Sequence, residues 1–250
     1  MALGIRSNGG ATDDWYTERV KAILLDLDDT LLDYSGGVDD SWAGACRACC
    51  SPDDVDATRL IETLGPTRRW FWDDPVRHKT ERTDMPGAWR KIVAYALERL
   101  GRPNDALADA IARDFAARRR ERMCLFPEAL ACLERLRGRG LGLALVTNGD
   151  ARQQRYKIER WDLARWFDAI VIEGEFGTGK PDEVVYRHAL GKLGVAPADA
   201  AMVGDHLEFD VDAPQRLGLR GVWIDREGRG VPAASAVQPW RIVRSLDEVD

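Results

Sequence analysis

Five short apolar runs punctuate the chain: Ala22-Ile23-Leu24-Leu25, Leu141-Gly142-Leu143-Ala144-Leu145-Val146, Ala169-Ile170-Val171-Ile172, Ala200-Ala201-Met202-Val203 and Gly221-Val222-Trp223-Ile224. Each is continuous rather than alternating, the pattern of strands buried on both faces of a parallel sheet. Between them the apolar spacing becomes helical. Pro127 to Arg137 carries Leu130, Leu133 and Leu136, with Pro127 suited to a first helical position. Val184 to Leu193 and Asp212 to Leu217 have the same character. Strand alternating with helix predicts an α/β fold built on a doubly wound, Rossmann-like parallel sheet.

The alternation breaks once. After the first run no strand pattern returns until Leu141, and the intervening stretch reads as helical. Ala88 to Leu100 places Ile92, Val93, Ala96, Leu97 and Leu100 on one face, with Gly101 as its stop; Ala106 to Ala117 is a second helix. Gly36-Gly37 opens the stretch and suits a flexible joint. The expected organisation is a core of residues 15–35 and 119–250, with a helical domain of residues 36–118 inserted after the first strand. The first dozen residues are expected to be loosely ordered.

Composition narrows the possibilities. The chain has 250 residues, 45% of them hydrophobic, enough for a packed core with a smaller insertion. A formal charge of −6 argues against nucleic acid as a partner, because backbone binding needs a basic face. No apolar run approaches the roughly 18 to 20 residues that span a bilayer. The first residues do not resemble a secretion signal either, so the expected location is cytoplasmic, without a membrane partner. Oligomeric state is not readable. Five cysteines are too few for a disulfide scaffold. Cys46-x-x-Cys49-Cys50 suggests zinc, but no second Cys/His pair stands at ligand spacing, so these are read as small thiols packed on a helix.

The candidate chemistry lies where the apolar runs end. The first runs into Asp26-Leu27-Asp28-Asp29-Thr30, the second into Thr147-Asn148-Gly149-Asp150, and the fourth into Gly204-Asp205, with Asp210 five residues on. Open α/β sheets bind ligands beyond the carboxyl ends of their strands, so these groups should converge on one crevice. Carboxylates crowded there repel unless a cation neutralises them, and an all-oxygen site favours Mg²⁺. A nucleophile and a base beside a divalent ion suit phosphoryl transfer. Taken alone, Asp28-Asp29 could equally cap a turn or helix. Thr147 and Asn148 could simply end a strand.

Asp26-Leu27-Asp28-Asp29-Thr30-Leu31 resembles the first motif of haloacid dehalogenase superfamily phosphatases, D-x-D-x-T after an apolar strand. Val146-Thr147-Asn148-Gly149 resembles the second motif, Gly179-Lys180-Pro181 the third, and Gly204-Asp205-His206-Leu207-Glu208-Phe209-Asp210 the fourth, G-D-x-x-x-x-D. All four occur in the family's order between about Lys21 and Asp225, and the helical insert sits where the family's type 1 cap does. The resemblance implies a Mg²⁺-dependent phosphatase acting on a small phosphorylated metabolite through an aspartyl-phosphate. Asp26 would be the nucleophile, and Asp28 would protonate the leaving oxygen and then activate water. The Asp26 carboxylate, the Asp28 backbone carbonyl and Asp205 would hold Mg²⁺, supported by Asp210. Thr147 and the Asn148 amide would bind phosphoryl oxygens, and Lys180 would neutralise their charge.

Three alternatives stand beside this reading: a phosphomutase with the same motifs, a non-catalytic binding protein of the same fold, and a haloacid dehalogenase. The resemblance implies that dehalogenases lack an acid where Asp28 stands. Arg68-Arg69-Trp70-Phe71-Trp72, followed by Arg77-His78-Lys79, admits a helix with Trp70 and Phe71 in its core and arginines outside, a substrate-contacting cap surface, or nucleic-acid binding. Arg118-Arg119-Arg120 reads as a solvated helix end. His188 and His206 have no assigned role.

Overall fold

In the computed structural model, residues 20–51 and 53–249 are described. The expectation for the first dozen residues therefore lies outside the described residues. The chain enters through strand β1 (Ala22–Leu25), makes a tight turn into the short β2 (Leu32–Asp33), and then runs through five helices. These are α1 (Val38–Cys49), α2 (Ala57–Asp73), α3 (Pro75–Glu81), α4 (Met85–Arg99) and α5 (Asp105–Arg122). Strand β3 (Cys124–Leu125) returns antiparallel to β2, so the ends of the helical stretch are drawn together. The remainder alternates: α6 (Ala129–Gly138), β4 (Gly142–Thr147), α7 (Ala151–Arg160), β5 (Ala169–Ile172), α8 (Glu173–Phe176), α9 (Glu183–Leu193) and β6 (Ala200–Gly204). A π-helical turn (Leu207–Asp212) leads into α10 (Ala213–Arg216), β7 (Arg220–Ile224) and β8 (Arg241–Val243).

Six strands form one parallel sheet in the order β5-β4-β1-β6-β7-β8. β1 pairs with β4 on one side and β6 on the other, with Leu24 opposite both Ala144 and Met202. The direction of winding reverses at β1, which opens a crevice beyond its carboxyl end. Alternate residues of each strand serve opposite layers. Ile23, Leu25, Leu143 and Leu145 pack with Leu133 and Leu136 of α6, whereas Leu24, Ala144 and Met202 pack with Tyr186 and Leu190 of α9. Burial on both faces explains why the runs are continuous.

The five helices have their own core, with Trp42, Leu64, Phe71, Trp89, Ile92 and Phe115 buried together. Helices α2 and α4 start on aspartate caps: Asp56 accepts from Thr58 N–H and Arg59 N–H, and Asp84 from Gly87 N–H. Several local expectations shift. Helix α6 starts at Ala129, so Pro127 stands ahead of it rather than inside. Helix α5 runs on to Arg122. The helix expected from Asp212 begins earlier, as the π turn at Leu207. Strands β2, β3 and β8 carry no sequence signal, being two or three residues long, too short for any period to show. The Gly36 carbonyl accepts from the Arg119 guanidinium at 2.7 Å. Among the described residues, no helix is long and apolar enough to cross a membrane.

Candidate active site

Asp26 follows the last residue of β1, and its N–H donates to the Val203 carbonyl of β6 at 3.0 Å. That bond continues the sheet ladder by one residue and aims the carboxylate over the crevice. Asp205 leaves the end of β6, and its carbonyl accepts from the Trp223 indole at 2.7 Å. Asp210 comes back from the π turn, an irregularity that often marks functional sites. It approaches so closely that a Cβ on Gly204 would lie 2.3 Å from its carboxylate, so only glycine fits at the strand end. Carboxylate oxygens of Asp26, Asp205 and Asp210 lie within 4.8 Å of one another, close enough to share a metal ion.

Lys180 bridges two of the three. Its ammonium donates to Asp26 Oδ1 and to Asp210 Oδ1, both at 2.7 Å, and it is almost wholly buried. The loop that carries it is clamped by Asn148: the side-chain amide donates to the Lys180 carbonyl at 2.8 Å, and its oxygen accepts from the Lys180 N–H at 2.7 Å. Gly179 permits this fit, since a Cβ there would lie 2.5 Å from Asn148 Oδ1. The Asn148 side chain is thus committed to holding Lys180.

Burial dominates the electrostatics. It pushes the Asp26 carboxyl up to about 7, opposed by Lys180 and reinforced by Asp210 and Asp28. Burial, with Asp26 and Asp210 adding to it, pushes Asp205 up to about 9. For Lys180, burial works against the charge, but the Asp210 and Asp26 carboxylates outweigh it and hold the ammonium firmly protonated. Three carboxyl groups facing one ammonium in a desolvated pocket would carry an excess of negative charge once ionised. An all-oxygen donor set with that imbalance fits a hard divalent cation.

Asp28 is placed differently. Its carboxylate is not part of the acidic trio; it faces helix α7, where Lys157 Nζ donates to both oxygens at 2.8 and 2.7 Å and Gln154 Nε2 to one at 3.0 Å. Thr147, at the end of β4, accepts from the same Gln154 nitrogen at 2.6 Å. Asp29 takes the turn-forming role open to either residue of the pair. It has a φ of 60°, and its carboxylate accepts from the N–H groups of Tyr34 and Ser35.

All seven expected residues, Asp26, Asp28, Thr147, Asn148, Lys180, Asp205 and Asp210, line one cavity of about 930 Å³ whose other wall is the helical stretch. Two expectations for that stretch are corrected. Phe71 is buried, but Trp70 is 41% exposed, while Trp72, Arg68 and Arg69 line the cavity. Arg119 is not solvated: it is 2% exposed and donates to the carbonyls of Tyr34 and Gly36. Among the described residues the cysteines form no disulfide, and Cys46 is buried in the helical core. His206 stacks on Phe209 at 3.9 Å and faces the cavity.

Sequence reasoning misses Gln154, Lys157, Arg82 and Glu173. Gln154 and Lys157, three apart, share a face of α7 that a polar helix does not advertise. Glu173, at the end of β5, accepts from Gly149 N–H at 2.9 Å and pairs with Arg82. Its position after an apolar run is the one available signal.

Residues 20–218 match the family model of haloacid dehalogenase-like hydrolases. The chain belongs to that family. It is 37% identical to phosphoserine phosphatase of Thermus thermophilus over 83% of this chain and 89% of that one. It is 32% identical to N-acylneuraminate-9-phosphatase of Mus musculus over 92% of each. Among solved structures it resembles the HAD-hydrolase YfnB of Bacillus subtilis, bound to magnesium (TM-score 0.71, 20% identity, 93% of this chain and 97% of that one). It also resembles 2-haloacid dehalogenase of Pseudomonas syringae (TM-score 0.62, 26% identity, 92% and 96%). Phosphatases as the sequence relatives support a phosphoric monoester hydrolase.

Proposed function

We propose that this chain hydrolyses a small phosphorylated metabolite through an aspartyl-phosphate on Asp26, with Mg²⁺ as cofactor. The observation that carries the reading is the buried Lys180 ammonium, 2.7 Å from both Asp26 and Asp210. A buried cation beside a buried carboxylate opposes the rise that burial imposes and favours the ionised form that attacks, and it offers charge to an incoming phosphoryl group.

Asp26 attacks phosphorus as the bond to the leaving oxygen breaks, and Asp28 gives that oxygen a proton. Asp28 then takes a proton from water as the water oxygen displaces Asp26 from phosphorus. Thr147 and the main chain beside Asn148 hold phosphoryl oxygens. Asp26, Asp205, the Asp28 carbonyl and the supporting Asp210 are the groups that would hold Mg²⁺, which when bound supplies neutralisation of the acidic trio and of the phosphoryl charge. Residues 36–118 act as a cap that excludes water and selects the leaving group. The cavity, far larger than a phosphate, suits this division of labour.

Phosphate release from 4-nitrophenyl phosphate, measured with Mg²⁺ and with chelator, tests the reading. The expected result is metal-dependent turnover that Asp26→Asn abolishes. Turnover surviving in Asp26→Asn removes Asp26 from its role. With a sugar phosphate in place of the aryl ester, phosphate moved to another hydroxyl rather than released to water would identify a mutase.

A further inference from the structure

We infer that Lys157 and Gln154 are positioning residues for Asp28, and that they govern proton delivery to the leaving group, an inference that rests on the Asp28 role proposed above. Asp28 sits on a turn beyond β1, with its side chain 24% exposed towards the cavity. A carboxylate there has many rotamers open to it, yet it must serve the leaving oxygen in one step and a water in the next. The structure removes that freedom. Lys157 Nζ donates to Asp28 Oδ1 at 2.8 Å, to Asp28 Oδ2 at 2.7 Å and to Gln154 Oε1 at 2.7 Å, so all three of its donors are used. Gln154 Nε2 donates to Asp28 Oδ2 at 3.0 Å and to Thr147 Oγ1 at 2.6 Å. The face of the Tyr34 ring lies 4.0 Å from the ammonium.

Both anchors are buried, Lys157 3% and Gln154 2% exposed, behind a partner that is not. Burying a lysine is costly unless its charge is matched, and here the matching carboxylate is the one that faces substrate. A simple staple between α7 and the sheet would be served as well by apolar residues. The bridge from Gln154 to Thr147 further ties Asp28 to the end of β4, next to where phosphoryl oxygens are held. The pair of anchors therefore sets the distance between the proton donor and the phosphoryl group.

Substituted phenyl phosphates test this, because they keep the shape of the leaving group while its need for a proton varies. Wild type, Lys157→Met and Gln154→Leu are compared with Mg²⁺ present, from the 2,4-dinitrophenyl ester, whose phenolate leaves unaided, to the unsubstituted phenyl ester. For Lys157→Met, kcat/KM is expected to fall at least about tenfold further on the phenyl ester than on the dinitrophenyl ester, as loss of a placed general acid requires. The dinitrophenyl ester should also give a burst of dinitrophenolate followed by slow turnover, because water activation still needs Asp28. Gln154→Leu keeps the ion pair and should shift the same way more weakly; it carries the test if Lys157→Met does not fold, as judged by circular dichroism. Equal loss across the series would reduce Lys157 to a staple, and unchanged kinetics in folded variants would also overturn the inference. Wild type inert towards every ester would instead strike at the hydrolase reading, and Asp26→Asn still active at the aspartyl-phosphate on Asp26, so these failures are distinguishable from failure of the inference.

Discussion

Arg82, on the turn between α3 and α4, places its Nε and Nη2 3.0 and 2.7 Å from one oxygen of Glu173, at the end of β5. Both side chains are more than nine-tenths buried, and the same guanidinium reaches the Lys180 carbonyl at 3.2 Å. The helical stretch is thereby attached to the loop that carries the site's only cation in contact with Asp26 among the described residues.

Removing one partner of such a pair leaves the other charge buried. Arg82→Met should therefore destabilise the protein by about 3–5 kcal/mol, read from urea unfolding. It should also weaken phosphatase activity, because the Lys180 loop and the Glu173–Gly149 bond lose a support. A loss of stability below about 1 kcal/mol would mean that water reaches the pair.

Lys180→Met keeps most of the length of the side chain and removes the charge. Asp26 and Asp210 would then face each other without their shared donor. We expect kcat to fall by about 10²–10³-fold, the scale seen when a preorganised charge-stabilising donor is lost. Activity within about threefold of wild type would show that the ammonium is structural only.

The acidic trio makes a signed prediction about pH. Asp26 and Asp205, lifted from 3.8 to about 7 and about 9, hold protons in the folded protein that the unfolded chain has already released. Their cost to folding is thus absent below about pH 4, grows as pH rises through the Asp26 value, and is complete above the Asp205 value. A divalent cation replaces those protons. The rise in Tm on adding Mg²⁺, relative to chelated protein, should accordingly be larger at pH 9 than at pH 6. A gain independent of pH would mean that the cation binds elsewhere.

Much of the core and of the site is legible in the order of residues along the chain. Ala22–Leu25 and Ala200–Gly204 are recognisable because strands buried on both faces must be apolar throughout, a local property. The polar residue that ends such a run must emerge at the sheet edge, so Asp26, Thr147 and Asp205 fall in one crevice. The edge strand at Arg241–Val243 is not legible, because three residues show no period. Trp70 and Arg119 depart from expectation for a related reason: helical spacing says which residues share a face, not what that face meets.

Residue order alone thus dictates the alternation of strand and helix, the helical interruption, and the convergence of carboxylates at strand ends. It does not dictate that Asp28 turns from the acidic trio to Lys157, 129 residues away, or that Arg82 finds Glu173 across 91; the assembled fold settles both. Local patterns encode burial, which depends on near neighbours. The partner of a charged group depends on which distant elements the sheet order brings together, and no periodicity along the chain records that.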